Sequence, residues 1–279
     1  MLIRRRFRHH TPALKFYNLG NIILVKLKPL IFLLLFLPAI VFAREPDRVS
    51  LSLTPSLNGG MMGIKDFSSS SLAYNGPLAG GNLRISANST KIDYLVDAFF
   101  SYGWLCNDYH KAPERMFSQQ FDLSTGGMIG LFCNSTVFVK AGGVLGFMQN
   151  VNYNGPLDRA RYTFALDAKL CLSAELMLRR GFFVLIEDRL PFVSYIWAFN
   201  KKVDSLQAIT PDHSWKAFPG NEVTLGIGRN LRDGNALVLV LRQDFFSTGH
   251  ALYECFQVQR LEMGLAFRFG LIKHAYDGL

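Results

Sequence analysis

Beyond residue 43 the sequence has no second long apolar run, no heptad pattern and no clear amphipathic helix. Those absences exclude a helical membrane bundle and a coiled coil, and they argue against a helical core. No His/Cys spacing matches a zinc site, and there is neither a Gly-x-Ser-x-Gly elbow nor a phosphate loop, so no cofactor or metal is expected. Acidic residues are missing from the first 43 positions, which hold seven of the chain's 30 Lys and Arg. The remaining 23 basic side chains face all 21 acidic ones, so the body of the protein is nearly neutral and offers no basic footprint for nucleic acid. Disorder is excluded as well, because 49% of the 279 residues are hydrophobic and 24 are Phe.

What is present begins with an export segment. Leu30 to Ala43 is an apolar run behind Lys26 and Lys28, closing on the small-x-small pattern Val41-Phe42-Ala43 before the polar Arg44-Glu45-Pro46-Asp47. This is the three-part pattern of a cleaved signal peptide. The run falls short of the roughly 20 residues of a spanning helix, which disfavours the alternative of an uncleaved anchor. Two parts are expected: an N-terminal extension with signal peptide over 1–43, and a single domain over 44–279. The Arg/His-rich stretch before the signal suggests translation starting near Val25.

In that domain, period-two alternation returns repeatedly. From Lys91 to Trp104, Ile92, Tyr94, Val96, Ala98, Phe100, Tyr102 and Trp104 share one face, while Asp93, Leu95, Asp97, Phe99, Ser101 and Gly103 share the other. From Arg161 to Leu178 the same holds, with Tyr162 through Leu178 apolar on even positions and Arg161, Asp167, Lys169, Cys171 and Glu175 on odd ones. These segments are long for a soluble sheet, where strands run about 5–6 residues, and suit a strand crossing a bilayer at a tilt, which takes roughly 9–11. The polar face carries Gly, Ser, Thr and isolated charges of both signs, as the lumen of a small closed barrel does. Aromatics gather at strand ends, as at Tyr102 with Trp104 and Tyr195 with Trp197, where interface girdles sit.

Ten strands are expected, at about 49–57, 81–88, 91–104, 119–131, 136–148, 161–178, 182–199, 221–229, 236–246 and 256–269. Long connections (58–80, 105–118, 149–160, 200–220, 247–255) then alternate strictly with short ones (89–90, 132–135, 179–181, 230–235). The short ones hold turn residues: Asn134-Ser135, Arg180-Gly181 and Asp233-Gly234-Asn235. Long outer loops with short periplasmic turns are the asymmetry of an outer-membrane barrel. The fold class is therefore all-β, a transmembrane antiparallel up-and-down β-barrel of about ten strands, with eight or twelve as alternatives. Two places resist reading. Ala236 to Leu241 is apolar on both faces. In the seventh strand the apolar face switches from Phe182, Val184 and Ile186 to Val193, Tyr195, Trp197 and Phe199, which a bulge or a split strand explains.

The last strand reads Glu262-Met263-Gly264-Leu265-Ala266-Phe267-Arg268-Phe269. A polar residue, a Gly two further on, alternate apolar residues and a final Phe resemble the closing-strand signal of bacterial outer-membrane barrels. The resemblance implies recognition by the barrel-assembly machinery through Glu262, Gly264, Phe267 and Phe269. In the family the signal commonly ends the chain, whereas ten residues follow it here. Ten strands with five outer loops also look like the omptins, outer-membrane proteases, and the passage from Trp104 through His110 to Phe121-Asp122-Leu123 is similar to their second loop. Ten-strand barrels of chlamydia-like bacteria, without clear protease residues, share the shape too. Such barrels are often disulfide-linked to neighbours, which the resemblance implies for surface protein partners of this chain.

The omptin likeness implies a water activated between an Asp pair and an Asp-His pair. Asp212-His213 and Asp108 with His110 are the candidates. The match is incomplete: Asp212 and His213 are adjacent, where the family has a residue between the partners, and Ser101, Tyr102, Gly103 and Trp104 stand where the Asp pair belongs. No His falls on a clear strand face, which sets aside a phospholipase of Ser-His type. Cys106 and Cys255 both fall near the outer rim, so a bond between them competes with free or intermolecular thiols.

Charges expected inside are Asp93, Asp97, Asp122, Lys140, Arg161, Asp167, Lys169, Glu175, Glu222, Glu262 and Arg268. Unpaired they are costly, so pairing across a narrow, mostly filled lumen is expected. Function is expected to be structural or surface interaction through the outer loops, with lipid as the surrounding partner. A narrow channel and an omptin-like protease are the alternatives.

Overall fold

The computed structural model describes residues 50–66, 73–88, 92–107, 115–154, 159–202, 212–247 and 256–272. The export segment, Asp108, His110 and Cys255 lie outside them. Eleven strands follow in order: β1 (Ser50–Asp66), β2 (Ala73–Asn88), β3 (Ile92–Cys106), β4 (Arg115–Cys133), β5 (Val137–Asn154), β6 (Arg159–Met177), β7 (Phe182–Lys202), β8 (Asp212–Lys216), β9 (Gly220–Asn230), β10 (Ala236–Ser247) and β11 (Phe256–Ile272). All pairings are antiparallel, and β1 pairs with β11 from Leu51↔Ile272 to Asp66↔Phe256, which seals the sheet into a barrel. β8 pairs with Ser194–Ala198 of β7 and β9 with Phe182–Arg189, so these two segments form one stave interrupted at 217–219. The barrel thus has ten staves, as alternation requires.

The inner end carries Ser50, Ile272 and the short turns. Asn134 Oδ1 accepts the backbone N–H groups of Thr136 and Val137 at 2.8 and 2.6 Å, closing the β4–β5 turn. The β6–β7 turn holds Arg180 and Gly181 at φ 61° and 77°. Gly181 accepts that conformation without strain, while Arg180 does so only because the two-residue reversal demands it.

The strands run further outward than the alternation suggests. The stretch 58–80, read from sequence as a long outer loop, is mostly ladder: β1 and β2 pair from Ser50↔Asn88 to Lys65↔Ala73, leaving only 67–72 between them. Likewise 107–114, 155–158, 203–211 and 248–255 replace the longer connections expected, so the loop asymmetry is smaller than the sequence implies. Glycines misled here. A Cβ at Gly60 would meet the backbone of Leu261, and one at Gly76 the backbone of Trp104. They mark close strand approach rather than turns.

The face switch in β7 is a bulge. Lys169 pairs with Pro191 and Ala168 with Val193, so Phe192 has no partner on β6. On its other side the Phe218 N–H donates to the Phe192 carbonyl at 3.4 Å, where β8 and β9 are interrupted. One extra residue on one stave is matched by a break on the next, and closure is kept.

The exterior carries a band of exposed apolar side chains: on β11 Leu261, Met263, Leu265, Phe269 and Leu271, on β10 Leu237, Leu239 and Leu241, on β6 Leu166, Leu170, Leu172 and Leu176. Towards the outer end this gives way to exposed Gln259, Gln243, Asn221, Asn75 and Lys65. With roughly 9–11 residues needed to cross, strands of up to 21 residues project past the band as an outer collar. Leu265 is 55% exposed in mid-band. Leu265→Arg is expected to destabilise the folded barrel by about 2–4 kcal/mol in lipid vesicles, and Gln259→Arg by about 0–1 kcal/mol, read from urea titrations of the folded gel band.

Candidate functional site: a charged lumen

The inward-facing residues form three tiers. The middle tier is ionic. Arg84 on β2 donates to Asp97 Oδ2 on β3 at 2.7 and 3.2 Å, and reaches across the barrel to both oxygens of Glu187 on β7 at 3.0 Å each. Arg189 donates to the same Asp97 oxygen and to Glu187 Oε1, both at 2.7 Å, and to Ser124 Oγ at 3.3 Å. Glu222 on β9 gathers Arg242 at 3.1 Å, Lys169 at 3.5 Å and Arg189 at 3.7 Å. On the adjoining wall Arg260, 1% exposed, pairs with Asp244, lies 3.6 Å from Asp122, and is 3.9 Å from Glu262. The Phe99 ring lies between the two groups, with the guanidinium carbons of Arg242 and Arg260 at 4.3 and 4.8 Å from its centroid. Because β2 and β7 stand on opposite walls, the bidentate Arg84–Glu187 contact is a strut across the barrel.

Above this tier the interior is mixed, with an apolar cluster beside buried Ser101, Ser118, Gln120, Asn150, Asn152 and Thr163. Met62, Ile64, Tyr74, Leu78, Leu105, Met116, Phe246 and Phe256 pack together inside the outer collar. The Tyr74 hydroxyl accepts a hydrogen bond from Asn154 Nδ2 at 3.0 Å. Below the ionic tier a cavity of about 180 Å³ lies in the inner half of the barrel. Its roof is formed by Arg84, Asp97 and Glu187, and its lower wall by Lys140 paired with Asp93, and by Glu175 and Arg268.

The eleven charges assigned inward by alternation sit on inward positions. Asp97, Asp122, Asp167, Lys169, Glu222 and Glu262 lie at the ionic tier, Asp93, Lys140, Glu175 and Arg268 at the cavity. Arg161 lies in the outer third, 5.2 Å from the Phe256 ring. Alternation missed Arg84, Glu187, Arg189, Arg242, Asp244 and Arg260. Arg84 sits on a strand read as short, Glu187 and Arg189 at the face switch, and Arg242 and Asp244 behind the run whose register was unreadable. The signal that finds them is closure: continuing β10 inward-even from Ala236 puts Arg242 and Asp244 inside.

Of the residues proposed for catalysis, Asp212 pairs with Ala198 and His213 with Trp197 in β8. Asp108 and His110 lie outside the described residues. Cys106 is exposed at the outer end of β3, and its proposed partner Cys255 lies outside the described residues. Cys133 is exposed at the inner turn, and buried Cys171 touches Met128 Sδ at 3.5 Å.

A closed antiparallel ten-stave barrel with an apolar exterior and charged interior is the architecture of bacterial outer-membrane proteins. No family model matches the sequence, and no curated protein does either. Among solved structures the chain is similar to the outer membrane protease OmpT from Escherichia coli, at TM-score 0.52 and 9% identity, over 81% of this chain and 98% of that one. The translocator domain of autotransporter NalP from Neisseria meningitidis also matches, at TM-score 0.43 and 9% identity, over 83% and 93% of the respective chains. The likeness to OmpT concerns the fold alone, that of a closed ten-strand outer-membrane-type barrel.

Removing one partner from the ionic tier leaves buried charges uncompensated. Arg189→Met strips a cation from Asp97, Glu187 and Glu222 together, and is expected to cost about 3–5 kcal/mol in lipid-vesicle unfolding titrations.

Proposed function

We propose that this outer-membrane barrel is a non-conducting scaffold that displays its outer connections for structural or surface-interaction roles. One observation carries the reading: two packed layers stand in series in the lumen, the Arg84–Glu187 strut with its neighbours and, beyond it, the cluster around Tyr74 and Phe256 with the buried polar side chains beside it. Ions crossing the barrel would have to displace the paired charges of the first layer, which is costly, and then pass the second. In planar bilayers the purified barrel is expected to give no stable single-channel steps. Reproducible steps of one amplitude would replace this reading with the narrow channel.

Assembly through the closing strand belongs to the same proposal. Glu262 is 2% exposed inside the finished barrel and Gly264 is buried against Asn58, so the machinery would read them before β11 meets β1. Phe267 and Phe269, with ring centroids 4.4 Å apart, stay near the inner boundary of the apolar band. Phe269→Ser is expected to lower the amount of assembled barrel in cells several-fold while leaving unassisted refolding into lipid vesicles within about twofold. Equal effects in both assays would assign Phe269 to packing alone.

A further inference from the structure

The inner cavity contains two charges that the rest of the lumen does not use. Glu175, on β6, has no ion-pair or hydrogen-bond partner among the described residues, whereas Asp93, Asp97, Glu187 and Glu222 are all paired. Arg268, on β11, has no carboxylate partner among the described residues. Its guanidinium is set over the Phe183 ring, 5.0 Å from the centroid. Phe183 is itself fixed, because its ring occupies the space a Cβ at Gly228 would need. Arg268 is therefore pre-positioned by stacking, with its donors left over.

The two groups face each other. β6 and β11 stand four places apart around the ten staves, on opposing walls, and each residue lies within four positions of the inner end of its strand. The wall joining them through β7 and β10 is apolar at Phe183, Leu185, Val238 and Val240. The cavity thus offers one fixed cation, one carboxylate apart from it, and a greasy wall between. Its volume of about 180 Å³ is below the roughly 300–1,000 Å³ of sites for drug-sized ligands.

We propose that the inner cavity binds a small zwitterion with an apolar side chain, a free amino acid or a dipeptide. Its carboxylate meets the Arg268 fork, its ammonium meets Glu175, and its side chain covers Phe183 and Leu185. Neither charge alone selects this class: a carboxylic acid would leave Glu175 facing its apolar part, and an amine would leave Arg268 so, each a desolvated charge without a partner. Of the roof charges, Arg84 does not compete, since it is saturated by Asp97 and Glu187.

Calorimetric titration of the detergent-refolded barrel tests this, with L-leucine and L-leucyl-L-alanine as probes against N-acetyl-L-leucine and L-leucinamide. At least one zwitterion is expected to bind saturably at one site per barrel, and each blocked leucine to bind tenfold or more weaker than leucine or not at all. In Arg268→Gln the advantage of leucine over leucinamide is expected to vanish, and in Glu175→Gln its advantage over N-acetyl-leucine. Arg268→Lys should keep part of it. No saturable binding by either zwitterion overturns the proposal, as does equal binding of blocked and unblocked forms or an unchanged ranking in folded variants. Should a variant fail to fold, the four probes on the unaltered barrel still decide.

Discussion

A chain that crosses hydrocarbon on strands has one constraint above all others: no backbone N–H or C=O may face lipid unpaired, so the sheet must close on itself. In this barrel the closing seam is β1 against β11, and its ladder runs nearly the whole length of both strands. Everything else adjusts to that seam. The extra residue Phe192 in β7 would open a gap in the ladder if the next stave were regular. Instead the next stave is broken at 217–219, and Phe218 returns a backbone bond to Phe192 at φ 50°. The strained backbone of a bulky residue is tolerated there because the alternative is an unsatisfied carbonyl at the rim of the band.

Closure fixes the second problem, which is what to put inside. Ten staves enclose too much space for backbone alone and too little for a wide aqueous channel. The chain fills the space differently at different depths. Level with the lipid it uses long charged side chains, which span the width and lock opposite walls together. In the collar beyond the lipid it uses Met, Ile, Leu and Phe beside buried Ser, Thr and Asn. The order is physically sensible. Within the membrane the exterior is already apolar, so an apolar interior would make inside and outside alike and leave the register free to slip by one residue. Buried charges make such a slip costly, because every one of them would be turned into hydrocarbon. In the collar a conventional hydrophobic core serves. The ionic tier is therefore read as a device for specificity of register more than for net stability, in keeping with the small or negative yield of buried ion pairs compared with apolar packing.

The features that reach the sequence are those with period two. Alternation located ten staves, and the faces of Asp93, Asp97, Asp167 and Glu262 followed directly. Turn chemistry at Asn134 and Gly234 was equally local. What did not show was anything whose cause lies on another strand. Gly60 and Gly76 read as loop residues because their reason, the neighbouring backbone, is far away in sequence. Arg242 was hidden because both faces of the preceding run, Ala236 to Leu241, are apolar: one meets lipid, and the other meets Phe183 and Ala266 in an apolar patch of the lumen wall. Arg84 and Glu187, 103 positions apart, carry no mutual signal at all.

The tiers also give the barrel a direction. On the proposed non-conducting reading the cavity opens only toward the end bearing the short turns, which an outer-membrane barrel turns toward the cell. Any solute in it exchanges with that side alone, and occupancy cannot move it across. A site of this kind adds attraction between staves β6 and β11, which otherwise touch each other through no ion pair among the described residues. A solute bridging Glu175 and Arg268 would play at the inner end the part that Arg84 plays in the middle, tying opposite walls. Binding to the folded barrel alone then raises its stability by mass action, in proportion to RT ln(1 + [L]/Kd). The same contact that recognises the solute would thus tighten the end of the barrel at which the ladder is least supported from within.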